Sequence, residues 1–85
     1  MSKDSDEFER AAQAARALPE RPDDHTALQL YALFKQVSSG DVQGARPGFF
    51  DFVGTAKYEA WEKLQGTSQD QAMGKYVELV KKLVG

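Results

Sequence analysis

An 85-residue chain that is 41% hydrophobic and 28% charged has the apolar content for one folded domain, and a domain this small buries only about 60% of its unfolded surface. The absence of cysteine excludes a disulfide framework, a thiolate metal site and a cysteine nucleophile. A formal charge of −2 excludes a general nucleic-acid binder, which needs a basic face, yet leaves room for a local cationic cluster that captures one small anion.

The N-terminal stretch MSKDSDEFER has charges where a signal peptide needs an apolar core, and no apolar run approaches the ~20 residues that cross a bilayer. A cytoplasmic protein without membrane insertion is expected. Breakers are confined to Pro19–Pro22, Gly40–Gly54, Gly66 and Gly85. Between them the apolar residues recur at helical spacing, and no sustained alternation suggests a strand. The spacing predicts an all-α domain over residues 1–85 with helices near 4–17, 23–39, 55–65 and 68–84.

The first predicted helix, capped by Asp4 or Ser5, places Phe8, Ala11, Ala12, Ala15 and Leu18 on one face. That alanine face serves either helix propensity and close packing or a slim wall beside a groove. The second begins after Pro22 with Asp23 or Asp24 as its cap, and His25 in its first turn reads as an exposed surface residue. On a wheel of about 100° per residue, Leu30, Leu33 and Val37 form one stripe. Ala27, Leu28, Tyr31, Phe34 and Lys35 form a second beside it. Together they subtend roughly 220°, about twice the arc that a helix burying one side requires. The helix is therefore central, or its second stripe lines a groove.

Lys35 inside an apolar stripe must snorkel or meet an anion. In the connection 40–54, Pro47 and Gly48 suit the centre of a type II turn, and Phe49, Phe50 and Phe52 offer apolar area to pin the loop to the core. The third helix repeats the lysine anomaly, since Lys57 shares a face with Ala60, Trp61 and Leu64. In the fourth, Ser68 and Gln71 form a capping-box pattern. Ala72, Met73, Tyr76, Val77, Leu79, Val80, Leu83 and Val84 make a broad core stripe there, while Lys81 and Lys82 suit the helix dipole.

The stretch YALFKQVSSGDVQGARPGFFDFVGTAKYEAWEKLQGTSQDQAMGKYV resembles the acyl-CoA-binding protein family, through its KQ pair, RPG, AKYEAW and GTS elements at family spacing. The resemblance extends from Phe8 to about Leu83. It implies an up-down-down-up four-helix bundle that binds long-chain fatty acyl-CoA and acts as a carrier and pool former in fatty acid metabolism. By position it implies ligand contacts from Tyr31, Ala32, Leu33, Phe34 and Lys35 on the second helix and Lys57 on the third. Tyr31, Lys35 and Lys57 would meet the adenosine and its 3′-phosphate. Tyr76 would lie near the adenine, Arg16 would flank the CoA group, and Phe8, Ala12 and Leu28 would line the acyl groove.

Four positions depart from the family pattern. Phe34 stands where tyrosine is common and Thr55 where a lysine is usual. Tyr58 replaces a tryptophan, and Ala27 a frequent methionine. The resemblance further implies a monomer that meets acyl-CoA-using enzymes, without cofactor, metal or nucleic acid. No nucleophile motif, Gly-rich phosphate loop or metal-ligand spacing points to an enzyme. The rival reading is a helical interaction module whose apolar groove receives an amphipathic partner helix.

Overall fold

The computed structural model describes residues 3–85. Its four helices are α1 (Lys3–Arg16), α2 (Asp24–Ser39), α3 (Phe52–Glu62) and α4 (Gln69–Val84). They form an up-down-down-up bundle. α1 packs on α4, α4 on α2, and α2 on α3; the backbones of α3 and α4 do not approach one another. The result is flattened, 38 × 29 × 15 Å, with α2 in the middle.

Caps fix where α2 and α4 begin. The Asp23 carboxylate accepts from the Thr26 amide at 2.8 Å. Ser68 and Gln71 satisfy each other's backbone in a full capping box, which replaces donors the helix leaves open. α1 already runs at Lys3, so Asp4 and Ser5 lie inside its first turn rather than at the cap position expected for them.

The start of α3 departs from expectation in an informative way. Asp51 accepts from the Gly54 amide at 2.8 Å, so the helix starts at Phe52 and ends at Glu62 instead of spanning 55–65. Gly54, read from sequence as a breaker, permits this cap, because a Cβ there would overlap the Asp51 carboxylate. After Glu62 the chain winds down through tight turns, with the Leu64 amide donating to Trp61 O and the Gln65 amide to Glu62 O.

The core is small. Ala11, Ala12, Leu33, Ala72, Tyr76 and Val80 form its buried cluster, with Phe8, Ala14, Ala15, Leu30, Phe34, Val37 and Leu79 packed at its margin. Alanines on α1 facing Ala72 on α4 let these two helices approach closely, as propensity and packing would both favour. Val84, expected in the core stripe, is exposed as the last residue of α4.

A polar knot ties the C-terminal end of α2 to its neighbours. Gln36 is fully buried; its amide donates to Asp41 Oδ1 and to Thr67 O, both at 2.8 Å. Its carbonyl oxygen accepts from Trp61 Nε1 at 3.1 Å, and the same indole donates to Gly40 O at 2.8 Å. Asp41 also accepts from the Gly66 amide at 2.8 Å. Gly66 has φ of +89°, a conformation in which a side chain is strained. Gln69 Nε2 donates to Val37 O at 2.8 Å, joining the start of α4 to the end of α2.

Hydrogen bonds from Gly66 and then from Gln36 hold the Asp41 carboxyl below its ordinary value of 3.8. A depressed carboxylate pKa contributes stability that is complete above the unfolded value and lost as pH falls through the folded one. Unfolding midpoints should therefore drop as pH is lowered below about 4, and Asp41→Asn should flatten that drop. Asp23, likewise lowered by its bonds to Thr26, contributes in the same direction. Denaturant melts at stepped pH check both.

Candidate ligand site

Across the α2–α3 seam, two lysines lie over two aromatic rings. Lys57 Nζ sits 5.1 Å from the centroid of Tyr31, and Lys35 Nζ sits 4.9 Å from that of Trp61. Tyr31 and Lys35 are one turn apart on α2, as are Lys57 and Trp61 on α3, so the two contacts form successive rungs between parallel helices. Tyr31 and Lys35 are half-buried and Lys57 is exposed.

Among the described residues neither ammonium has a carboxylate partner. The ion pairs there are those of Arg46, with Glu59 at 2.6 Å and Glu62 at 3.7 Å. Arg16, exposed at the end of α1, also lacks one. Two cations without counter-charges, each beside an aromatic face, form an arrangement able to hold an anion and a planar ring together.

Beside this seam an aromatic cluster bridges α1, α2 and α4. Phe8 lies 5.6 Å from Phe34 and 5.0 Å from Tyr76, and Phe34 lies 6.2 Å from Tyr76, all tilted. Tyr76 is almost fully buried. Burial raises its hydroxyl pKa, and the positive charge of Arg16 opposes that shift. Phe34 therefore keeps the packing that its position on α2 demands.

A cleft of about 940 Å³ opens between α3 and α4, floored by α2. Leu28, Ala32 and Leu33 line it, with Ala56, Ala60, Leu64 and Leu79 opposite. Of the residues implicated from sequence, Leu28, Ala32 and Leu33 alone border the cleft. Phe8, Phe34 and Tyr76 belong to the aromatic cluster, Ala12 is buried in the core, and Tyr31, Lys35 and Lys57 stand on the seam. His25 is exposed at the rim.

The connection between α2 and α3 is held differently from the sequence expectation. Phe49, Phe50 and Phe52 are 85%, 82% and 73% exposed and do not reach the core. Arg46 anchors the loop instead, paired with Glu59 and Glu62 and 5.5 Å from the Tyr58 ring. The tight turn runs from Gly48 to Asp51, whose amide donates to Gly48 O at 3.0 Å. Gly48 does not take the positive φ that a type II turn needs at its third residue.

The sequence profile of the family described as Acyl CoA binding protein matches residues 5–80. The chain belongs to the acyl-CoA-binding protein family. The acyl-CoA-binding protein homolog of Drosophila melanogaster is 48% identical over 80 residues, covering 94% of this chain and 93% of that protein. The acyl-CoA-binding protein of Saccharomyces cerevisiae is 43% identical over 77 residues, covering 91% and 88%.

Among solved structures, the crystal structure of Oryza sativa acyl-CoA-binding protein 2 superposes with a TM-score of 0.90 at 37% identity, covering 95% of this chain and 90% of that one. The bundle is thus the family fold. Within it, Gln36 and Trp61 are residues whose importance the sequence concealed. The KQ and AW pairs differ in what each member does: the lysine of KQ and the tryptophan of AW face one another across the seam, while the glutamine of KQ and that same tryptophan tie the helices together.

Among the described residues no group of three His, Asp or Glu side chains could hold a metal ion, and no helix is long and apolar enough to cross a membrane.

Proposed function

We propose that the protein binds long-chain fatty acyl-CoA and acts as an intracellular carrier that keeps a bound pool. The observation that carries this reading is the α2–α3 seam: Lys57 over Tyr31 and Lys35 one turn along, with no acidic partner for either among the described residues. In this reading the two ammonium groups hold the nucleotide phosphate, Tyr31 receives the adenine face, and Arg16 and Tyr76 flank the CoA group. The tail runs from Phe8, over the buried Ala12, toward Leu28, while Ala32, Leu33 and Phe34 support the ligand-bearing face of α2. The residues 1–85 then act as one acyl-CoA-binding domain, a binder rather than a catalyst. It works as a monomer in the cytoplasm, passing ligand to acyl-CoA-using enzymes.

The energetics divide affinity from recognition. A buried tail of about fourteen methylenes gains on the order of 11 kcal/mol at ~0.8 kcal/mol each. Each charge-assisted hydrogen bond adds about 1.5 to 3 kcal/mol. Association costs of at least ~4 kcal/mol come off the sum, leaving affinity near the nanomolar range.

Calorimetry with palmitoyl-CoA, CoA and palmitate tests the division: the ester should bind far more tightly than either fragment. Equal affinity for palmitate and its CoA ester would overturn it. A second course for the tail is favoured by Leu28, Ala32 and Leu33 all lining the α3–α4 cleft. Filling that cleft with Ala60→Trp weakens palmitoyl-CoA binding if the tail enters there and leaves it unchanged if the tail runs along Phe8.

A further inference from the structure

The turn before α3 presents an apolar tip for which the fold has no use. Phe49 and Phe50 meet edge to face at 5.1 Å, and with Phe52 and Val53 they are 68–85% exposed. An exposed cluster of large apolar side chains marks an interaction surface. The four side chains project from the turn and the first residues of α3 and do not border the α3–α4 cleft, so a partner that covers them on several sides must yield around them. A fluid bilayer does so, and the region below its headgroups accepts aromatic side chains.

Local charge suits a zwitterionic surface. The Asp51 carboxylate caps α3 through the Gly54 amide and keeps its charge, and Arg46, two residues before the turn, is paired with both Glu59 and Glu62, so the turn is not a basic patch that would need anionic lipid. That double ion pair also holds the turn in place. On α3, Val53 and Lys57 are one turn apart on one face, and Lys57, exposed and without a carboxylate partner among the described residues, would meet lipid phosphates at the headgroup level.

We infer that the Phe49–Val53 tip docks the protein peripherally on a phospholipid bilayer, with the Lys57–Tyr31 contact facing the headgroup layer. The choice of a bilayer rests on the proposed acyl-CoA binding, since a long-chain amphiphile resides in membranes until a carrier removes it. Docking would bring the seam to the place where that ligand is stored.

Sedimentation with phosphatidylcholine vesicles, in the absence of acyl-CoA, tests the inference. The intact chain should partition onto zwitterionic vesicles and remain bound at about 0.5 M salt, where charge attraction is screened. Phe49→Ser with Phe50→Ser should lower the partition coefficient about tenfold or more. Palmitoyl-CoA affinity by calorimetry should stay within about twofold, because neither ring belongs to the seam. Since the natural sequence has no cysteine, an environment-sensitive dye on Phe49→Cys should shift to the blue on vesicles, whereas the same dye on Lys82→Cys should not.

The inference is overturned if the intact chain stays in the supernatant, if the double variant sediments equally, or if binding needs anionic lipid and disappears with salt. Capture by protein-bearing but not by protein-free vesicles overturns it as well. Loss of palmitoyl-CoA binding in the intact chain would instead refute the proposed function, so the two failures are separable.

Discussion

Lys57→Ala and Lys35→Ala are each expected to weaken palmitoyl-CoA binding about 10- to 150-fold, the equivalent of one charge-assisted hydrogen bond of roughly 1.5 to 3 kcal/mol. Both variants should remain folded. Lys57 is exposed, and the cation–π interaction of Lys35 with the Trp61 ring contributes only about 0.5 to 1 kcal/mol at a partly exposed position. Titration calorimetry paired with thermal melts separates the effects. A Lys57→Ala protein that binds normally would show that the nucleotide is held elsewhere, and one that unfolds would make the lysine structural. The double variant should lose more than either single change, with departures from additivity because in the proposed site both groups address one phosphate.

The largest effect on stability belongs to Gln36. Gln36→Leu removes two donated bonds and one accepted bond at a fully buried site. Some former partners retain an alternative: Trp61 still has Gly40 O, and Asp41 still has the Gly66 amide. Thr67 O loses the Gln36 amide and must find another donor or face the cost of burial. A loss of about 3 kcal/mol follows from these bonds and the desolvated carbonyl. For a domain of this length that corresponds to a fall in melting temperature of roughly 12 to 24 °C. A melt within a few degrees of the natural protein would show that the knot is redundant. Gln36→Glu distinguishes shape from hydrogen bonding, because it keeps the volume and removes both amide donors beside a carboxylate.

Legibility from sequence followed the range of the interactions. α2 and α4 could be bounded because Asp23 with Thr26 and Ser68 with Gln71 act within one turn, and the second stripe of α2 correctly marked it as a helix with neighbours on more than one side. The wheel likewise put Tyr31 and Lys35 on one stripe, and the structure sets Lys57 over that tyrosine. The start of α3 was hidden because Gly54 looked like an interruption, although its missing side chain is what admits the Asp51 cap.

The phenylalanines misled for a different reason. Apolar area in a loop invites the assumption of burial, but the loop is held by Arg46 and leaves the rings free. Gln36 escaped notice because its partners lie 5, 25 and 31 residues away, and no local pattern records a bond of that range. Nor does a local pattern disclose the α3–α4 cleft, which exists because two helices whose backbones stay apart share one neighbour.

That last arrangement gives α3 the mechanics of a boom stepped at one end. Its base is Trp61, clamped by Gln36 and Gly40, while its outer end at Phe52 and Val53 has little beneath it. Outward swing therefore meets the least resistance at the free end and the most at the clamp. Lys57 rides between the two, so a tilt of α3 about the Trp61 clamp, carrying the Arg46-bound turn with it, would alter the spacing over Tyr31.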